Sequence, residues 1–207
     1  EVETMELASQ FRCNGSDGYL AWVDHALEIR DTAHVDLSTL DYDYDFRVFD
    51  SPNEVRDLIE ARHGQGKAAR MVAGYCWDWS SKKDPAAWDV VIPEHDFRMR
   101  WNLTQHGSGW LAHPESISEA GCIHTCQGLE LDYVGVVIGE DLIVRDGRVV
   151  TQADARSRHD RSIRGFKKRR RSDPEGTEAE LDRIIKNTYR TLMTRGLKGC
   201  YVYATDE

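Results

Sequence analysis

The chemistry-bearing residues of this chain concentrate in Gly121-Cys122-Ile123-His124-Thr125-Cys126-Gln127-Gly128-Leu129-Glu130-Leu131-Asp132. This polar, glycine-containing turn comes directly before Tyr133-Val134-Gly135-Val136-Val137-Ile138, a β-branched run that reads as a buried strand closed by Gly139. Two readings stand side by side: a satisfied strand-entry loop, or a loop that meets a nucleotide or a nucleic-acid backbone. Cys122, His124 and Cys126 alternate, so on an extended segment they would point one way and suggest zinc. No fourth ligand lies nearby and there is no C-x-x-C pair, which favours the cysteines as small core residues. No Ser-His-Asp or Cys-His catalytic set can be argued.

Three other places could hold phosphates or bases. Arg195 ends a helical pattern just before Gly196, and a guanidinium can grip a phosphate with two hydrogen bonds. Composition alone favours the plainer reading, a C-terminal arginine drawn by the helix dipole. Trp77 and Trp79 follow a strand end, where a base could stack on an aromatic ring, although core packing is expected for at least one of them. In Lys167-Lys168-Arg169-Arg170-Arg171, phosphate binding and a solvated loop are level readings. A P-loop needs G-x-x-x-x-G-K-[ST] between a strand and a helix. Gly64-Gln65-Gly66-Lys67 comes after a helix and before a strand, the wrong way round, so the isolated chain is expected not to hydrolyse ATP.

The elements that must position these residues follow an α/β rhythm. Thr4 to Arg12 can form a strand, Cys13-Asn14-Gly15 a turn, and Ser16 caps a helix with Leu20, Val23 and Leu27 on one face. Asp31 to Asp45 reads as a surface connection and Phe46-Arg47-Val48-Phe49 as a strand. Ser51-Pro52-Asn53-Glu54 starts a helix with Val55, Leu58 and Ile59 inward, ended by Gly64. Ala69 to Cys76 is a third strand. The pattern changes over Ser80–Ser118, read as an insertion with short strands at Val90-Val91-Ile92 and Phe97–Trp101. Leu142 to Val150 reads as a hairpin turning at Asp146-Gly147. Residues 151–176 are expected to be an exposed basic loop. Thr177-Glu178-Ala179-Glu180 reads as a capping box opening a helix with Leu181, Ile184, Ile185, Thr188 and Leu192 on one face, stopped by Gly196. A last strand is expected over Cys200 to Ala204. Strands alternating with helices imply one domain over 1–207 with a mostly parallel sheet covered on both faces.

Composition bounds the function classes. A chain of 207 residues, 40% hydrophobic and 30% charged, is expected to be a soluble domain with a real core. No apolar run reaches the ~20 residues of a membrane span, and the acidic start without an initiator Met implies a fragment or a processed chain without a signal peptide. Five scattered cysteines in such a chain read as reduced thiols, hence a cytoplasmic location. The net charge of −9 argues against a general nucleic-acid coat, but Arg156 to Arg171 holds nine Lys/Arg against one Asp.

Three segments, in order, resemble motifs IV, V and VI of superfamily 1 helicases: Gln10-Phe11-Arg12-Cys13, the stretch from Gly121 to Val134, and Tyr189-Arg190-Thr191-Leu192-Met193-Thr194-Arg195. The second follows the pattern T-x-H-x-(A/S)-(K/Q)-G-L-E-F-D and is the most specific. Most of the chain resembles the C-terminal part of the Schlafen group-three-like DNA/RNA helicases, through Ala73–Trp79, Thr125–Ile138 and Lys186–Tyr203. The resemblance implies the second RecA-like domain of a helicase or translocase. ATP with Mg²⁺ would then bind against an N-terminal P-loop domain of the same protein, absent from this chain, and single-stranded DNA or RNA would be the partner.

By that resemblance Arg195 is the arginine finger and Arg12 a second γ-phosphate contact. Gly128, Glu130, Gln127 and Arg190 would approach the nucleotide. His124 and Thr125 would face nucleic acid, and the ring and basic run read above add Trp77, Lys168 and Arg170 as further candidate contacts. Gln127 stands where many relatives carry Lys, so that contact differs here. Two alternatives stay open. One is a nucleotide-dependent regulatory module without strand separation. The other is a protein- or RNA-binding surface formed by Ser80–Ser118 and the basic loop.

Overall fold

A computed structural model of the chain describes residues 17–39, 44–102, 107–126 and 128–206. The strand expected over Thr4–Arg12, the Ser16 cap, Arg12 and Gln127 lie outside the described residues. In chain order the helices and strands are α1 (Asp17–Ala26), β1 (Asp45–Val48), α2 (Pro52–Gly64), β2 (Ala69–Ala73), β3 (Val90–Ile92), β4 (Phe97–Trp101), β5 (Glu119–Gly121), α3 (Ile123–Cys126), β6 (Leu131–Ile138), β7 (Leu142–Arg145), β8 (Arg148–Thr151), α4 (Phe166–Ser172), α5 (Pro174–Met193) and β9 (Gly196–Ala204).

Seven strands form one sheet in the order β1-β9-β6-β2-β5-β4-β3, and β7-β8 form a separate hairpin. Each neighbouring pair in the large sheet is parallel except β3–β4. The central strand β2 is buried at every position, as a strand covered on both faces must be. The period of two sends Val72, Val134, Val136, Cys200 and Val202 to one face, where they meet Leu20, Val23, Leu181, Ile185 and Leu192 of α1 and α5. Met71, Val137 and Tyr201 face the other way, onto Val55 and Ile59 of α2. Gly135 of β6 is required here: a Cβ would lie 2.5 Å from Met71 Sδ and 2.8 Å from Val55 Cγ1. The fold is therefore mixed α/β, a mostly parallel sheet with helices on both faces, consistent with a RecA-like domain.

The local start signals act as expected for α2, where the Ser51 hydroxyl accepts from Asn53 N and Pro52 takes the first helical position. The β7–β8 hairpin turns at Asp146 (φ 51°) and Gly147 (φ 72°). Other boundaries move. Helix α5 begins at Pro174, one turn before Thr177, because Asp173 caps it by accepting from Gly176 N at 3.0 Å. Thr177 is buried inside the helix rather than capping it. Gly196, read as a helix stop, already opens β9, where an added Cβ would collide with the Gly199 carbonyl.

The Ser80–Ser118 segment extends the main sheet. Its strand β4 pairs with β5, and β3 forms the edge. Buried Asp89 organises it, accepting from Ser81 N (2.7 Å), Ser81 Oγ and Trp101 N (2.8 Å). The basic segment differs most from its expected form as an exposed loop. Arg156, Ser157, Asp160, Ile163 and Phe166 are buried, and Phe166–Ser172 is helical. The charge run hides these apolar anchors in the sequence. The arginine is drawn inward by two buried carboxylates, described below.

Candidate functional site

The expected phosphate-binding residues meet where α5 ends and β6 and β9 begin. Leu131 pairs with Gly196 across the strands, and Leu131 N donates to the Arg195 carbonyl at 3.1 Å. The Arg195 guanidinium lies back over the preceding loop, its Nη1 3.4 Å from the Leu129 carbonyl. The residue is only 7% exposed. Gly128 is exposed with φ +80°, and its Cβ position is open, so the backbone is accessible from that side. Glu130 is exposed beside it. Arg195, Gly128 and Glu130 thus form one patch.

The short helix α3 carries the next two candidates. His124 is exposed and Thr125 half-buried, its Oγ1 donating to Asn102 Oδ1 at 2.6 Å. Cys126 is buried beneath them. Burial pushes its thiol up to about 12, against the opposing influence of the Cys126-facing Arg195 charge. Cys122 is also buried, so both cysteines behave as core residues. Among the described residues no cluster of three metal-ligating side chains occurs. The loop is held from below: Gly121 leaves room for Trp110, whose Nε1 donates to Glu119 Oε2 at 2.9 Å. Buried Arg70 fixes the segment leading to it, donating to Ser116 Oγ (3.0 Å) and to the carbonyls of Leu111 (2.8 Å) and His113 (3.2 Å).

The remaining candidates sit elsewhere. Arg190 is engaged by Asp24 of α1 through its Nε, and Arg30 holds the same carboxylate at 2.8 Å. It therefore clamps α5 to α1. Arg170 pairs with Glu178 and, at 2.6 Å, with Asp154, while Lys168 is exposed on α4. Glu178 lies in the first turns of α5 and Arg195 follows its last residue. The seventeen residues from Glu178 to Arg195, at about 1.5 Å each, separate them by roughly 25 Å. Trp77 is half-buried beyond the carboxyl end of β2, its Nε1 donating to the Val91 carbonyl at 3.2 Å. Strands of eight and nine residues put roughly 20–25 Å between that edge and the patch at Arg195. The structure thus joins the Arg195, Glu130 and Gly128 set and leaves Arg190, Trp77, Lys168 and Arg170 apart from it.

A second polar centre escaped sequence reading. The Tyr189 hydroxyl donates to Asp141 Oδ1 and accepts from Gly139 N at 3.0 Å. Asp141 Oδ2 meets Arg156 Nη1 at 3.0 Å, and Arg156 Nε meets Asp160 at 2.5 Å. Burial pushes the Asp141 carboxyl above its ordinary value, against the pull of Arg156 and of the Tyr189 hydroxyl. Ser157 Oγ donates to Asp78 Oδ1 at 2.6 Å. The network straps the segment after β8 across the carboxyl ends of β2 and β6. The one local signal was a carboxylate, Asp141, two residues after the strand-closing Gly139.

Fold and site together define a mixed α/β domain with a helix-end arginine set against a glycine-containing strand-entry loop. Residues 1–206 match the family described as Schlafen group 3, DNA/RNA helicase domain, and the chain belongs to that family. It is also similar to an uncharacterised protein of Saccharomyces cerevisiae, 26% identical over 212 residues. That match covers 97% of this chain, and the chain spans 45% of the length of the yeast protein. No solved structure matches the chain. Among the described residues no helix is long and apolar enough to cross a membrane.

Proposed function

We propose that the chain is the second, RecA-like motor domain of an ATP-dependent DNA or RNA helicase or translocase. A P-loop domain elsewhere in the same protein would supply the ATP and Mg²⁺ site. The observation that carries this reading is the contact of Arg195 with the Leu129 carbonyl at 3.4 Å. It sets a helix-end guanidinium beside the exposed Gly128 and Glu130, within a helicase-domain family. In this reading Arg195 leaves the carbonyl and turns to the γ-phosphate as the two domains close. There it stabilises the charge that develops during transfer. Arg12 adds a second contact, and Gln127 and Glu130 approach the nucleotide. His124 and Thr125 hold the strand backbone.

ATP turnover by the full-length protein, with and without single-stranded DNA or RNA, tests this. Arg195→Ala is expected to keep nucleotide binding and lose about 10³–10⁵ in kcat, the range of an arginine finger. Unchanged turnover in a variant with an unaltered thermal midpoint would refute the role.

A second reading is a nucleotide-dependent regulatory module without unwinding. The burial of Arg195 and the capture of Arg190 by Asp24 favour it, since both arginines already have partners within the chain. It predicts ATP-dependent changes in nucleic-acid affinity without strand separation in an unwinding assay.

A further inference from the structure

The carboxyl ends of β1, β2, β6 and β9 open into a crevice of about 930 Å³, distinct from the patch at Arg195. This is the edge at which open α/β sheets usually take a ligand, and the volume suits a ligand of several side chains. Its walls are aromatic and acidic. Phe49, Trp77 and Tyr203 supply rings, and Asp50, Glu94 and Glu140 supply carboxylates. Among the described residues that line it, none is Lys or Arg. A fourth carboxylate, Asp206, is held by Arg145 at 2.6 Å and by Val144 N at 3.0 Å. Asp50, Glu94 and Glu140 form no ion pair among the described residues and are exposed.

The crevice is preformed. Trp77 Nε1 ties one wall to the Val91 carbonyl, and Asn53 Nδ2 donates to the His95 carbonyl at 2.7 Å, fixing the turn that forms the other. The His95 ring stands edge-on to Tyr203 at 5.3 Å. Val48 (67% exposed) and Val91 (40%) also line the opening, two of the few large apolar side chains exposed among the described residues. Three unpaired carboxylates repel phosphates, so a nucleotide does not suit this edge. Aromatic walls and acids attract a cation on an apolar stem. The exposed valines add a demand that a small free cation does not meet, because their burial needs apolar partners.

We propose that this crevice is a docking site for a polypeptide segment carrying arginine or lysine side chains flanked by apolar ones. The cationic heads meet Asp50, Glu94 and Glu140, the stems lie on Trp77 and Phe49, and the apolar neighbours cover Val48 and Val91. The site is independent of the ATP reading.

The test is fluorescence anisotropy with the 207-residue chain and a labelled octapeptide of mixed arginine and leucine. Its counterpart with glutamate in place of arginine is the control. The arginine peptide should bind, weaken with salt, and lose at least tenfold in affinity on Glu94→Gln/Glu140→Gln. Glu60→Gln/Glu175→Gln removes the same charge from exposed sites on α2 and α5. It should bind as the unaltered chain does. Equal binding of the two peptides would overturn the proposal. So would an unchanged affinity in the crevice variant, or an equal loss in the helix-surface variant.

Discussion

Tyr189→Phe removes one oxygen atom from the centre of the buried network while keeping the ring that packs beneath the sheet. Tyr189 is fully buried, and its hydroxyl donates to Asp141 Oδ1, accepts from Gly139 N and meets Cys76 Sγ at 4.0 Å. The Gly139 N–H, which donates to it at 3.0 Å, would be left without an acceptor at a cost of about 1–3 kcal/mol. The Asp141 carboxylate would lose a charge-assisted bond, about 1.5–3 kcal/mol. Arg156 still holds the other Asp141 oxygen at 3.0 Å, so the carboxylate is not stripped bare and the second figure belongs near its lower end. The void left beside Gly74 is the size of a single oxygen atom, so the cavity adds little to the cost. The expected loss is about 3 kcal/mol, more than a hundredfold in the folding equilibrium constant. Urea unfolding followed by circular dichroism should show the midpoint falling with an unchanged slope. A loss below about 1 kcal/mol would mean that the hydroxyl is not the keystone of the strap.

Gly135→Ala should destabilise the chain by about 1–3 kcal/mol, since the new methyl meets Met71, Val55 and Ile59 within 3.0 Å. Met71→Ala in the same background should recover part of that loss in a double-mutant cycle, and strictly additive losses would count against the clash. Acid should weaken the anchorage of β1. Burial pushes the Asp45 carboxyl up, but hydrogen bonds from Tyr201, Arg47 and Arg62 outweigh it and hold it below the ordinary 3.8. A carboxyl held low in the fold contributes stability at pH above its unfolded value, and this is lost as the pH falls through the folded one. Unfolding midpoints should therefore drop below about pH 4, and Asp45→Asn should make that drop shallower. Parallel acid limbs for the two proteins would refute the assignment.

Local pattern carried much of this molecule. The Ser51-Pro52 start of α2, the strand character of Tyr133–Ile138 and the Asp146-Gly147 turn follow from propensities and periods that act over a few residues. The alternation of those elements was enough to establish the α/β class. The juxtaposition of Arg195 with the Leu129 carbonyl joins residues 66 apart in sequence, and only the pairing of β6 with β9 brings it about.

Polar residues in the core belong wholly to the tertiary structure. Arg70 looks like one polar position in an apolar strand until Ser116, Leu111 and His113 close around it. Arg190 reads as a phosphate ligand until Asp24, 166 residues away, captures it. Arg156 reads as part of a solvated basic run until Asp141 and Asp160 bury it. Hydrophobic period is written locally, because each apolar residue needs only a common interior. A buried charge needs one particular partner at one distance, and the chain supplies that partner only when distant segments have already met.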